Sequence, residues 1–237
     1  EINHFRTPAE GLNAFREHLL ELGIGKKIGA DISSETSGNV PTIGYFDKYF
    51  GAGHWNALTI RSLSIGQGEL LLTPLQLVNM ACIVANRGYY IAPHLARSIK
   101  NYDGSEKVLE FEKHMMSASR DKFELIAEGM EQVVESGTAR AVAKVDSISI
   151  CGKTGTIQNP HGQAHSAFVA FAPKDNPKIA VAVYIEQGVW GARYAAPIAS
   201  LIIEKYLKNR ISPKRQFLED NMLNSDLIST MKLEVGD

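Results

Sequence analysis

Within the stretch SISICGKTGTIQNPHG, residues 147 to 162, four neighbours have the make-up of an anion-handling site: Lys153, Thr154, Gly155 and Thr156. A lysine ammonium fixed on a strand holds an anionic substrate and lowers the pKa of a neighbouring group. Hydroxyls at 154 and 156 suit a carboxylate. Gly155 has no side chain, so another backbone can lie close beside it. A peptide added along such a strand pairs through its main-chain amides, and the backbone N–H of Thr156 can then meet a developing oxyanion. Strict pleating puts Lys153 on one face and both threonines on the other, so they share a site only along the strand edge. On these residues alone, an edge strand with a solvated lysine is the favoured explanation.

Two other chemistries are weaker. A phosphate-binding loop needs glycine five residues before Gly152-Lys153-Thr154 and a helix after it. Position 147 is serine, and Gly155 to Pro160 cannot open a helix. His161 and His165 have the i, i+4 spacing of a zinc motif, but Pro160 and Gly162 argue for a loop, and no third ligand is evident. Cys82 and Cys151 are the only cysteines and form no Cys-x-x-Cys. Neither a metal nor a cofactor is expected.

The elements that must position these residues come from a chain of 237 residues, 44% hydrophobic and 22% charged, enough for one good core or two small domains. A net charge of −1 without long like-charge runs gives nucleic acid no electrostatic footing. No apolar run approaches the roughly 20 residues a bilayer demands. The opening EINHFRTPAEGL carries no signal pattern and no initiator Met, and reads as part of something longer.

Thr7-Pro8-Ala9-Glu10 is a capping box, followed by Leu12, Phe15, Leu19 and Leu22 at helical spacing and a stop at Gly23. Residues 41 to 68 read as irregular chain with aromatic anchors. Thr73-Pro74-Leu75-Gln76 repeats the capping device before an apolar, buried helix reaching about Asn86. A second clear helix spans about Arg120 to Ser136, with Phe123, Ile126, Met130 and Val133 inward and Glu124, Glu128, Glu131 and Glu135 as a solvated row. Three strands follow, SISICGKTGT, AFVAFAP and KIAVAVYIE, whose short connections favour an antiparallel meander. A closing helix, about Tyr194 to Asn209, sets Ile198, Ile202 and Tyr206 on one face. The expectation is an α+β fold, an antiparallel sheet packed with helices, over residues 1–210, with a loosely held polar tail at 211–237.

The blocks SLSIGQGELLLTPLQLVNMACIVANRGYYIAPHL, GMEQVVESGTAR, CGKTGT and HSAFVAFAPKDNPKIAVAVYIE, in this order, closely resemble the C-terminal part of the transpeptidase domain of class B penicillin-binding proteins, the elongation type called penicillin-binding protein 2. The resemblance runs over roughly residues 10 to 207. It implies the fold shared by penicillin-binding proteins and serine β-lactamases, and a D,D-transpeptidase that cross-links peptidoglycan stem peptides ending in D-Ala-D-Ala and is acylated by β-lactams. It also implies that Lys153 supports a proton relay, that Thr154 and Thr156 bind the substrate or antibiotic carboxylate, and that Thr156 N–H completes the oxyanion hole. Further implications are an extracytoplasmic, periplasmic site anchored at the inner membrane by an N-terminal segment, and partners in the elongation machinery that include a membrane glycosyltransferase.

That family carries Ser-x-x-Lys, then Ser-x-Asn, then Lys-Thr-Gly. Here Ser119-Arg120-Asp121-Lys122 and Ser37-Gly38-Asn39 imitate the first two in the wrong places. The chain is therefore expected to carry the third motif without the catalytic serine and to be inactive alone, since acyl transfer then lacks a covalent route. The strand at 178–186, without its family partner, is expected to self-associate, or to pair with another polypeptide carrying the missing half, through a bare edge. A non-catalytic binding or sensor domain is the alternative, and a serine β-lactamase or carboxypeptidase relative is a third.

Overall fold

Both capping threonines cap their helices, and the box at Thr73 closes reciprocally while Glu10 reaches back to Arg6 N instead of Thr7 N. The computed structural model describes residues 5–228, and the chain divides into two compact units, Glu1–Asn79 with Tyr89–Met116, and Met80–Gly88 with Ser117–Asp237.

In the first unit, Thr7 Oγ1 accepts from Glu10 N at 3.2 Å and starts α1, Pro8–Glu21. Gly23, at φ 85°, ends it where a Cβ would lie 2.5 Å from Ile28 Cγ2. The stretch expected to be irregular holds a helix, α2, Ile43–Phe50, with Thr42 Oγ1 accepting from Tyr45 N. A short 3-10 turn follows at Arg61–Ile65. Its aromatics are the reason a period was hard to see: only Phe46 is fully buried, stacked near Trp55, while Tyr49 and Phe50 stay exposed. Leu12, Phe46, Trp55 and Leu63 make the unit's core.

Thr73 and Gln76 close the second box reciprocally, 3.2 and 3.0 Å, and open α3, Pro74–Ala85. Gln76 is buried, and its amide nitrogen donates to the carbonyls of Gly23, Lys26 and Ser37 at 3.0, 3.0 and 2.8 Å, so one side chain ties three loop segments together. Two small antiparallel pairs complete the unit. β1, Tyr89–Ile91, pairs with β4, Lys113–Met115, and β2, Ser98–Lys100, pairs with β3, Glu106–Val108.

The second unit carries α4, Arg120–Glu135, and a short helix α5, Arg140–Ala143. The expected antiparallel meander follows: β5, Cys151–Ile157, β6, His165–Ala172, and β7, Ile179–Ile185, in the order β5-β6-β7. Helix α6, Ala195–Lys208, packs on β6 and β7, and α4 packs on β5. One core gathers Ile150, Phe168, Ala170, Ala199 and Ile203, and the other gathers Cys151, Phe171, Ala127 and Met130, on opposite faces of the sheet.

Two expectations, both about α4, need correction here. The buried face of α4 is Phe123, Ala127, Met130 and Val134, while Ile126 is largely exposed, so the face is turned by about one residue. The glutamate row of α4 is not simply solvated. Glu124 pairs with Arg87 at 2.5 Å, Glu131 with Lys174 at 2.8 Å, and Glu135 with Lys144. On α6 the inward face is the small one, Ala196, Ala199 and Ile203, while Ile202 and Tyr206 point out. Alanines let a helix approach a sheet closely.

The first part of the expected tail is also ordered. Pro213–Arg215 form a 3-10 turn and Gln216–Leu223 form α7, with Leu218 buried. Arg215 Nε lies 3.0 Å from the carboxylate of Glu204, which is fully buried on α6.

Candidate functional site

β5 is an edge strand: among the described residues it pairs on one side only, with β6. Its register sets Thr154 opposite Phe168 and Thr156 opposite Ser166. Alternation then decides the faces. Cys151 is buried against Phe171, and Gly152 lies on the other face, where a Cβ would come within 2.3 Å of Phe168 Cζ. The even positions, Thr154 and Thr156, therefore share the face of Gly152, and Lys153 takes the face of Cys151. The conflict anticipated from pleating is real. It is met by the length of the lysine stem: Lys153 Nζ curls along the strand and donates to the carbonyl of Thr154 at 2.7 Å.

Lys153 and Thr156 are exposed and Thr154 is half-buried. Among the described residues no carboxylate pairs with Lys153, unlike Lys144, Lys174 and Lys208.

Burial around the strand fixes it in place. Cys151 is fully buried, and its thiol is pushed up to about 12 by burial first and by the nearby charge of Glu131 second, so it is a packing residue and no nucleophile. Ser166, paired with Thr156, is also buried and accepts from Ala195 N at the start of α6. The backbone that comes close to Gly155 belongs to this chain. A Cβ on Gly191 would stand 2.8 Å from Gly155 O and 2.6 Å from Ala167 O.

One neighbour was missed from sequence. Thr138, between α4 and α5, sets its hydroxyl 3.2 Å from that of Thr154. It lies in the quoted block GMEQVVESGTAR, but nothing in that string separates a site threonine from one on a helix connection.

The serine look-alikes are engaged elsewhere. Ser119 caps α4 by conformation, and its hydroxyl bonds Asp121, whose carboxyl is held below its usual value chiefly by that bond. Ser37 donates to the carbonyl of Gly38 at 3.1 Å, and Asn39 bridges to Leu71. His165 Nδ1 accepts from Gln187 N, and no cluster of metal-ligating side chains occurs among the described residues.

The domain family described as the penicillin-binding protein transpeptidase domain matches residues 7–204. The peptidoglycan D,D-transpeptidase MrdA of Haemophilus influenzae is 30% identical over 85% of this chain and 34% of its own length. The chain spans about a third of the length of the curated relatives it matches. Among solved structures, Pseudomonas aeruginosa PBP2 in complex with WCK 5153 superposes with a TM-score of 0.70 at 33% identity, over 87% of this chain and 44% of that one. The complex between PBP2 and MreC from Helicobacter pylori gives a TM-score of 0.69 at 27% identity, over 84% of this chain and 36% of that one. With the mixed helical and antiparallel fold and the Lys-Thr-Gly edge strand in hand, these matches establish that the chain belongs to the penicillin-binding protein transpeptidase family, among its PBP2-type (MrdA) members.

Proposed function

We propose that this chain supplies the Lys-Thr-Gly wall of a peptidoglycan D,D-transpeptidase whose nucleophilic serine stands outside these 237 residues. In this reading residues 1–210 are the C-terminal portion of the transpeptidase domain. Lys153 carries the positive charge that holds substrate and supports proton transfer. Thr154 and Thr156 take the terminal carboxylate of a stem peptide ending in D-Ala-D-Ala, or that of a β-lactam. Gly155 keeps the strand flat enough for a peptide to pair along the edge, and Thr156 N–H stabilises the oxyanion.

The observation that carries the reading is the exposed, carboxylate-free Lys153 on an edge strand beside two threonine hydroxyls. The two serine look-alikes, bonded to Asp121 and to the Gly38 carbonyl, support placing the nucleophile elsewhere. We take the working location to be the periplasmic face of the inner membrane, with elongation-machinery partners that include a membrane glycosyltransferase. Among the described residues no helix is long and apolar enough to cross a membrane.

A fluorescent penicillin tests this directly. The chain alone takes no covalent label, and a longer polypeptide with a Ser-x-x-Lys helix preceding this sequence is labelled and releases the label with hydroxylamine. A stable adduct on Ser119 or Ser37 overturns the reading. A longer polypeptide that binds β-lactam reversibly without acylation favours the non-catalytic binding domain instead.

The second edge of the sheet fits pairing with a second copy. Among the described residues β7 pairs only with β6. An antiparallel pair centred on Ala182 sets Lys178 of each copy against Glu186 of the other, both exposed, with Ile179 facing Ile185 between them. Opposite charges directly across a pair stabilise it by about 0.2–1 kcal/mol each.

A further inference from the structure

The carboxylate-binding role of Thr154 rests on the function proposed above, and the inference here concerns what holds that hydroxyl in place. We propose that Thr138 is a positioning residue for Thr154, fixing its rotamer and leaving its proton free for the ligand carboxylate.

Three observations meet at this point. First, the two hydroxyl oxygens are 3.2 Å apart, and either can donate. With Thr138 donating, Thr154 keeps its own proton for an outside acceptor, and a hydroxyl that accepts one hydrogen bond donates a stronger one.

Second, Thr138 sits on a rigid mount. Gly137 N donates to Gln132 O at 2.8 Å, and a Cβ at 137 would lie 2.9 Å from Val133 Cα. Ala139 N donates to Val133 O at 3.0 Å, and Ala139 is fully buried in the core shared with β6 and α6. The threonine is clamped on both sides, so its hydroxyl arrives with little conformational freedom left to lose.

Third, among the described residues Thr138 is the one side-chain partner of the Thr154 hydroxyl. The strand neighbour that engages it is Lys153, which bonds its carbonyl and leaves the hydroxyl alone. A threonine on a strand populates more than one χ1 rotamer. Thr138 is the group that selects among them. The mechanism asks nothing of Thr138 toward the substrate itself.

The test uses the full 237-residue chain and an N-acetylated peptide ending in D-Ala-D-Ala. Four proteins are compared: wild type, Thr138→Val, Thr138→Ser and Thr154→Val. In the ligand-free state, three-bond couplings report one χ1 rotamer for Thr154 in wild type and Thr138→Ser, and averaging in Thr138→Val. In calorimetry, Thr138→Val weakens peptide binding about three- to tenfold, the effect of one neutral hydrogen bond, and Thr138→Ser restores it.

Binding and couplings of Thr138→Val equal to wild type, with Thr154→Val weakened, overturn the inference and leave the carboxylate site intact. No binding by wild type sinks the site itself, and the role of Thr138 with it. Thr138 is exposed, so its valine variant folds; a lowered melting temperature shared by Thr138→Ser marks a merely structural threonine and contradicts the proposal.

Discussion

Lys153, Thr154 and Thr156 stand within four consecutive letters on β5, and which of them share a face was readable because a strand alternates. What pleating could not say is how a lysine on the opposite face joins the threonines. The answer is a long flexible stem that reaches the carbonyl of Thr154. Thr138 was invisible for a different reason: its contact crosses sixteen residues and depends on how α4 hands over to α5. Because Lys153 is exposed and, among the described residues, pairs with no acid, its removal is expected to touch binding and spare the fold. Lys153→Met keeps the melting temperature within about a degree and weakens the D-Ala-D-Ala peptide by at least about tenfold, the loss expected of a hydrogen bond to a charged group. Calorimetry beside a thermal melt checks both halves.

At the scale of elements, periodicity found α1, α3, α4 and α6 and the strand pattern found β5, β6 and β7, since both follow from backbone geometry that a single segment carries, whereas the short α2 and α7 fell in stretches read as irregular or loosely held. Faces were less legible. On α6 the shared face of Ile202 and Tyr206 turns out to be an exposed one, and Ala196, Ala199 and Ile203 are buried instead, because close approach rewards small residues. On α4 the glutamates at 124, 131 and 135 were taken as solvated, and each has a basic partner from a distant or adjoining segment. Gln76 belongs here too. Sequence identified its cap and nothing more, while the side chain also satisfies three carbonyls in loops far away in the chain. Gln76→Leu leaves those carbonyls buried without a donor. We expect a loss of about 3 kcal/mol in urea unfolding, in line with the cost of burying unsatisfied polar groups, and a loss under about 1 kcal/mol would show that water takes the amide's place.

For the whole molecule, among the described residues the sheet has an open edge at each end, and the proposed uses of the two edges differ: β5 for a peptide, β7 for a second copy. If β7 pairs as described, sedimentation at rising concentration moves the chain from monomer toward dimer. Glu186→Lys, which sets like charges opposite each other, returns it to monomer, and a clean monomer at all concentrations removes that pairing. Family membership rests on matches along nearly the whole chain, whereas the working site rests on one strand edge. The most direct measurement of that site is a backbone-amide NMR titration of the full chain with the N-acetylated D-Ala-D-Ala peptide. Shifts confined to residues 153–157 and the neighbourhood of Thr138, and abolished in Lys153→Met, are the predicted result. A peptide that shifts other residues and leaves β5 unmoved contradicts the account.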